Sequence, residues 1–140
     1  MILDTGAFRH LMMQLADGWS RQDTELALDC FTPDAVYMEP PNLQLFVGYE
    51  QLRPYFAALQ PGTYMQFHSL WFDETAQTGV GEFSFGRAER PTADHGIAVV
   101  QLQDGKIAFW HEYQRKGPAD FAQFLAVAGK QWEWHGGNYP

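Results

Sequence analysis

Apolar residues recur at intervals of three and four near the start of the chain: Phe8, Leu11, Met12, Leu15 and Trp19. That spacing puts them on one stripe of a helix, and Thr5 supplies a hydroxyl able to cap it. A second, short helix is expected after Asp23, carrying Leu26, Ala27, Cys30 and Phe31 and ending at Pro33-Asp34. Residues 35–39 read as a brief strand running into Pro40-Pro41, whose missing amide hydrogens stop ladder pairing. Gly48 leads into a third helix with Leu52, Tyr55, Phe56 and Leu59 on one face, and Pro61-Gly62 closes it. The hydrophobic period then drops to two. Strands are expected over 63–73, 78–88, 95–103 and 106–116, with Asp104-Gly105 as a two-residue hairpin turn. Asp120 can cap a last helix over roughly 119–130, and the aromatic, glycine-rich tail 131–140 is expected to dock on the body.

Helices followed by an antiparallel meander make an α+β fold. With 140 residues, no repeat and no linker, residues 1–140 are expected to form one domain. The aromatic content of 16% suits a lined cavity as well as a core. A net charge of −8, with the nine Lys and Arg scattered, argues against a nucleic-acid partner. No apolar run reaches the length of a membrane span, and residues 1–10 lack the basic-then-apolar pattern of a secretory signal. The single cysteine, Cys30, forms no internal disulfide, so a cytoplasmic setting is expected. Cys30 lies in a helical pattern beside Leu28 and Phe31, as a small buried apolar residue would.

Candidate chemistry lies on two strands. At period two, Val80, Glu82 and Ser84 share one face, and Trp110, Glu112 and Gln114 share another. A carboxylate among Trp, Phe and Val has to be paired, protonated or used, because burying it ionised and alone is costly. Glu82 and Glu112 facing a common void would be unable to ionise together, so that one acts as acid and the other as base. Glu39 is the third candidate, as base or water holder. For each of the three, the structural alternative is a carboxylate hydrogen-bonded to Tyr, Trp or backbone. Alternation aligns His68 with Tyr64, Gln66 and Leu70, a position from which an imidazole can tune a carboxylate; an ordinary core or surface histidine is the commoner case. No HxH, HxxxH or Cys pair supplies metal-ligand spacing, and no phosphate loop or dinucleotide fingerprint occurs, so neither metal nor cofactor is expected.

The segments CFTPDAVYMEPPN, VGYEQLRPYF and QLQDGKIAFWHEYQ resemble the nuclear transport factor 2-like superfamily, in its SnoaL-like branch. The resemblance runs from the first helix to about residue 125. It implies a cone-shaped barrel, a curved and mostly antiparallel sheet wrapped around the long first helix, and frequent homodimers with an open-ended pocket. Within the branch, a ketosteroid-isomerase-like pattern would place its base at Glu39, before Pro40. Its two oxyanion donors would fall near Leu15 and Ala98, which cannot donate. An epoxide-hydrolase-like pattern maps onto Trp110-His111-Glu112-Tyr113, Glu82 and Tyr37-Met38-Glu39, with Val80 where an Arg is expected. The expected function is therefore cofactor-independent acid–base catalysis on a small apolar organic molecule, by isomerisation, cyclisation or hydrolysis. Glu82, Glu112 and Glu39 would be catalytic, and Tyr37, Trp19, Tyr55, His68, Trp110 and Gln114 would bind substrate. The alternative is a non-catalytic binding or interaction module of the same fold.

Overall fold

In the computed structural model, which describes residues 1–126 and 136–138, the leading apolar stripe forms α1 (Thr5–Ser20). Its cap is Asp4 rather than Thr5: Asp4 Oδ1 accepts the Ala7 amide at 2.8 Å, while the Thr5 hydroxyl donates to Glu74 at 2.9 Å. Phe8, Met12, Leu15 and Trp19 are all buried against the sheet. The next helix, α2 (Thr24–Leu28), is capped by Asp23 and stops earlier than its apolar pattern suggests. Strand β1 (Phe31–Glu39) takes over at Phe31, because that residue finds a partner in Ile107. Tertiary pairing overrides the local helical period here. A 3-10 turn (Pro40–Asn42) leads to a four-residue strand, β2 (Gln44–Val47), which the sequence pattern did not reveal. Helix α3 (Gly48–Ala57) follows.

The meander consists of β3 (Thr63–Asp73), β4 (Thr78–Arg87), β5 (Thr92–Gln103) and β6 (Lys106–Pro118), close to the expected bounds. Asp104 and Gly105 both adopt positive φ, 53° and 78°, as a primed hairpin turn requires. The sheet order is β2-β1-β6-β5-β4-β3, antiparallel throughout except where β1 runs parallel to β6. The result is a curved six-stranded mixed sheet around the N-terminal helices, cone-like but not closed into a barrel. Asp120 caps α4 (Phe121–Leu125) as expected. The continuation of that helix past 126 and the docking of the tail lie outside the described residues, apart from a 3-10 turn at Gly136–Asn138. No helix among the described residues is long and apolar enough to cross a membrane.

Candidate active site

Strand alternation places one row of β6 on the inner, concave face: Trp110, Glu112, Gln114 and, at the mouth, Lys116. Trp110 and Glu112 are buried. β1 lies alongside in parallel, so Tyr37 sits next to Trp110, their rings stacked 5.4 Å apart at 7°. Tyr37 Oη donates to Glu112 Oε1 at 2.8 Å, and Trp110 Nε1 donates to the same oxygen at 3.3 Å. Two donors on one oxygen leave Oε2 to carry a proton. Burial raises the Glu112 carboxyl to about 7, with Glu39 and Asp94 adding to the rise and the two donors opposing it.

Two residues beyond Tyr37, the buried Glu39 ends β1 on the same face. Its Oε1 accepts from Gln114 Nε2 and from Asn42 Nδ2. Burial pushes this carboxyl upward too, against the pull of those two donors. Trp19, Glu39, Tyr55, Met65, Phe83, Phe85, Glu112 and Gln114 enclose a chamber of about 20 Å³. That is room for one water molecule. Among the described residues, Trp19 Nε1 and Gln114 Oε1 are buried without a partner, which gives the chamber walls one free donor and one free acceptor. Burial, followed by the charge of Glu112, also lifts the hydroxyls of Tyr37 and Tyr55 far above the ordinary tyrosine range, so both remain proton donors.

Glu82 and His68 are not part of this site. The register pairs Glu82 with Ile97 and Ile97 with Tyr113, whereas Glu112 pairs with Ala98 and Ala98 with Gly81. Paired residues share a face, so the half-buried Glu82 stands on the outer face, with the thickness of the sheet between it and Glu112. The expectation of a Glu82–Glu112 pair facing one void does not hold. The inner positions of β4 are Gly79, Gly81, Phe83 and Phe85. A Cβ on Gly79 would overlap the Phe8 ring, and one on Gly81 would come within 2.7 Å of Phe67 Cε1. The inner row of β4 is thus half glycine for steric reasons, and the apolar face is hard to see in the sequence.

His68 is the extra residue of a bulge, since Phe67 pairs with Phe83 but Ser69 pairs with Glu82. The bulge breaks its alignment with Leu70 and aims its ring at the outer face. There His68 Nε2 lies 2.6 Å from Ser84 Oγ, which lies 2.7 Å from His95 Nδ1, and His95 Nε2 reaches the Pro118 carbonyl at 2.7 Å. Phe121 stacks on His68 at 3.7 Å and Phe124 on His95 at 4.3 Å, so α4 roofs the group. Burial lowers the His68 pKa, and nearby Glu82 works against that shift. Cys30 is buried, donates weakly to the Leu11 and Leu26 carbonyls, and its thiol is pushed up to about 12 by burial. That is the inert thiol the sequence implied.

The structure therefore brings together Glu112, Glu39, Tyr37, Trp19, Tyr55, Trp110 and Gln114, all nominated from sequence. It adds Asn42, Phe83 and Phe85, which sequence reasoning missed. Phe83 and Phe85 were detectable in principle, as apolar residues at alternate positions on the face opposite Glu82. Asn42 carried no signal, because its reach to Glu39 depends on the 3-10 turn at Pro40–Asn42.

The fold has many solved counterparts of low identity. A protein of unknown function with a cystatin-like fold from Methylobium petroleophilum superposes with a TM-score of 0.71, at 16% identity over 96% of this chain and 100% of that one. An epoxide hydrolase of the LEH-like type from M. tuberculosis gives 0.65, at 16% identity over 79% and 84% of the two chains. A protein from Catenulispora acidiphila with a ketosteroid isomerase-like fold, solved with trimethylamine, gives 0.63, at 15% identity over 74% and 83%. Among curated proteins, none matches this chain in sequence. A family model described as SnoaL-like domain matches residues 13–110, and the chain belongs to that family.

Proposed function

We propose that this chain is a cofactor-independent acid–base enzyme acting on a small organic molecule by isomerisation, cyclisation or hydrolysis. Glu112 is the proton-transfer group, and Glu39, steered by Gln114, holds water or substrate opposite it. The observation that carries this reading is the Glu112 carboxyl, buried, raised to about 7 and fixed through one oxygen by Tyr37 and Trp110. An acid poised at the working pH is what general acid–base catalysis needs. The LEH-like and ketosteroid isomerase-like neighbours support the reaction class by analogy of fold only.

The test is a panel of small epoxides and enolisable ketones followed by proton NMR in D₂O, reading diol formation or loss of the α-proton signal. Glu112→Gln removes whichever reaction is seen, with far-UV spectrum unchanged. Turnover that survives this substitution overturns the assignment. A second reading, a non-catalytic module whose inner carboxyls serve only structure, is favoured by the chamber of about 20 Å³, too small for an organic substrate without movement of its walls. A panel without turnover, together with a Glu112 carboxyl titrating near 4.5, would decide for it.

Assembly as a homodimer belongs to the same proposal. Ile97 and Tyr113, 42% and 52% exposed, stand side by side on the outer face of β5 and β6 and would be covered by a second copy. Light scattering should give twice the 16.0 kDa chain mass. A monomer at all concentrations tested would remove the dimer.

A further inference from the structure

The geometry points to the mouth of the cone, under the turn between β4 and β5, as the seat for the carboxylate end of an amphiphilic organic acid whose apolar end reaches the Glu112 chamber. This deepens the acid–base reading and rests on it for the chemistry, though not for the binding. A groove of about 470 Å³ opens at this mouth, lined in part by Phe85, Arg87, Arg90, Asp94 and Lys116. Three of the chain's nine Lys and Arg therefore converge on one opening of a protein whose net charge is −8. Only Lys116 has an acidic partner among the described residues, Asp94 at 4.0 Å, the outer limit of an ion pair. Arg87 and Arg90 make no ion pair with a described residue, and both are exposed. A local excess of cations on an acidic molecule concentrates anions at that spot and offers them forked donors.

The groove also abuts the candidate site. Phe85 lines both the groove and the chamber, and its ring meets Trp19 edge-on at 5.0 Å. It is the wall between them. Along β6 the inner row runs Glu112, Gln114, Lys116, so the proton donor and the mouth cation are separated by four residues, or about 13 Å of strand. A ligand with its charge at Lys116 and Arg90 thus lays an apolar chain past Gln114 towards Glu112. On this path the ligand has to displace Phe85, the side chain the two linings share. Like charges close together would be unhelpful: an anion beside Glu112 would repel its ionised form, whereas one held at the mouth beside Lys116 is partly neutralised and lies further off.

Octanoate, with 1-octanol as the neutral control of equal length, serves as probe. Binding is followed by calorimetry, and by NMR of the protein labelled at its methionine methyls, since Met65 lines the chamber. Octanoate is expected to bind, to shift the Met65 methyl, and to lose about tenfold or more in affinity in the double variant Arg87→Gln/Arg90→Gln or when salt is raised to about 0.5 M. Octanol should bind more weakly and be indifferent to both changes. Absence of octanoate binding, equal affinity in the double variant, or binding that leaves Met65 unmoved each overturns the proposal. Both arginines are exposed, so the variant folds, and a far-UV spectrum verifies it. Loss of turnover in Glu112→Gln is a separate measurement, so the mouth fails or survives independently of the proton-transfer role.

Discussion

Two buried polar clusters sit back to back on the same sheet, and they solve the cost of burial in different ways. The inner cluster holds carboxyls: Glu112 with Tyr37 and Trp110, and Glu39 with Gln114 and Asn42. Its donors stabilise charge, yet desolvation outweighs them, and Glu112 keeps its proton to about 7. The outer cluster, His68–Ser84–His95, satisfies itself with neutral groups in a chain. The Pro118 carbonyl only accepts, so His95 carries hydrogen on Nε2. In a neutral ring Nδ1 then accepts the Ser84 hydroxyl, whose oxygen accepts from His68 Nε2. Ser84 and both ring nitrogens of His95 are paired, whereas in the inner cluster Trp19 Nε1 and Gln114 Oε1 have no partner among the described residues, on side chains that line a chamber. Unmet buried groups can be satisfied by a ligand or water, whereas paired ones already hold structure together, although a groove of about 480 Å³ runs past His95 on the outer face.

The sharpest way to break this contrast is to compare Glu112→Gln with Glu82→Gln. With a substrate from the panel above, the inner substitution should lower turnover by about 10²–10⁴-fold, the usual contribution of general acid–base catalysis. The outer one should leave it within about twofold, since Glu82 is across the sheet from the site. Equal losses would mean that the two faces act as one unit.

Next in size is the dependence of stability on pH. The folded carboxyl of Glu112 titrates near 7 and the unfolded one near 4.5, so the native chain holds the extra proton between those values. More protons bound in the native state make stability fall as pH rises through that window. The loss at pH 8 is on the order of 3 kcal/mol relative to pH 4 from this group alone. Urea titrations at pH 4.5, 6, 7 and 8 should show the decline in the wild type and a flatter profile in Glu112→Gln, whose amide can still accept from Tyr37 and Trp110. Parallel profiles would place the Glu112 pKa at its ordinary value.

How much of this was readable from sequence follows from what each strand displays. On β6, Trp110, Glu112 and Gln114 alternate with Phe109, His111 and Tyr113, and the assignment of Glu112 to the Trp110 face was sound because bulky side chains mark it. On β4 the same rule identified Val80, Glu82 and Ser84 as one face but chose the wrong one as interior. Gly79 and Gly81 carry no side chain, because Phe8, Phe67 and Leu70 already fill the space. Packing from other elements decided the face, and a period-two reading cannot see it. The bulge at His68 is likewise a property of the β3–β4 pair rather than of either strand. β2 escaped notice at four residues long, behind two prolines, with Leu45 and Val47 exposed at the sheet edge. The Asp104-Gly105 turn, the helix start after Asp23 and the Asp120 cap were legible because their physics is local.

The smallest expected effect tests the outer cluster alone. Ser84→Ala removes the hydroxyl that both histidines share. His68 is half-buried and can turn to water, whereas His95 is buried and its Nδ1 loses its only donor. One orphaned buried acceptor costs about 1–3 kcal/mol, so the variant should unfold at lower urea with unchanged m-value. Turnover, by contrast, should match the wild type, because no atom of Ser84 lines the inner chamber. Imidazole ¹⁵N shifts give the finer reading: His95 keeps its Nε2 hydrogen on the Pro118 carbonyl, and only the Nδ1 signal moves. If Nε2 lost that hydrogen, the carbonyl of Pro118 would not be what fixes the tautomer. The direction of the whole outer chain would then have to be set from the His68 end, where Phe121 stacks and the charge of Glu82 acts on the ring.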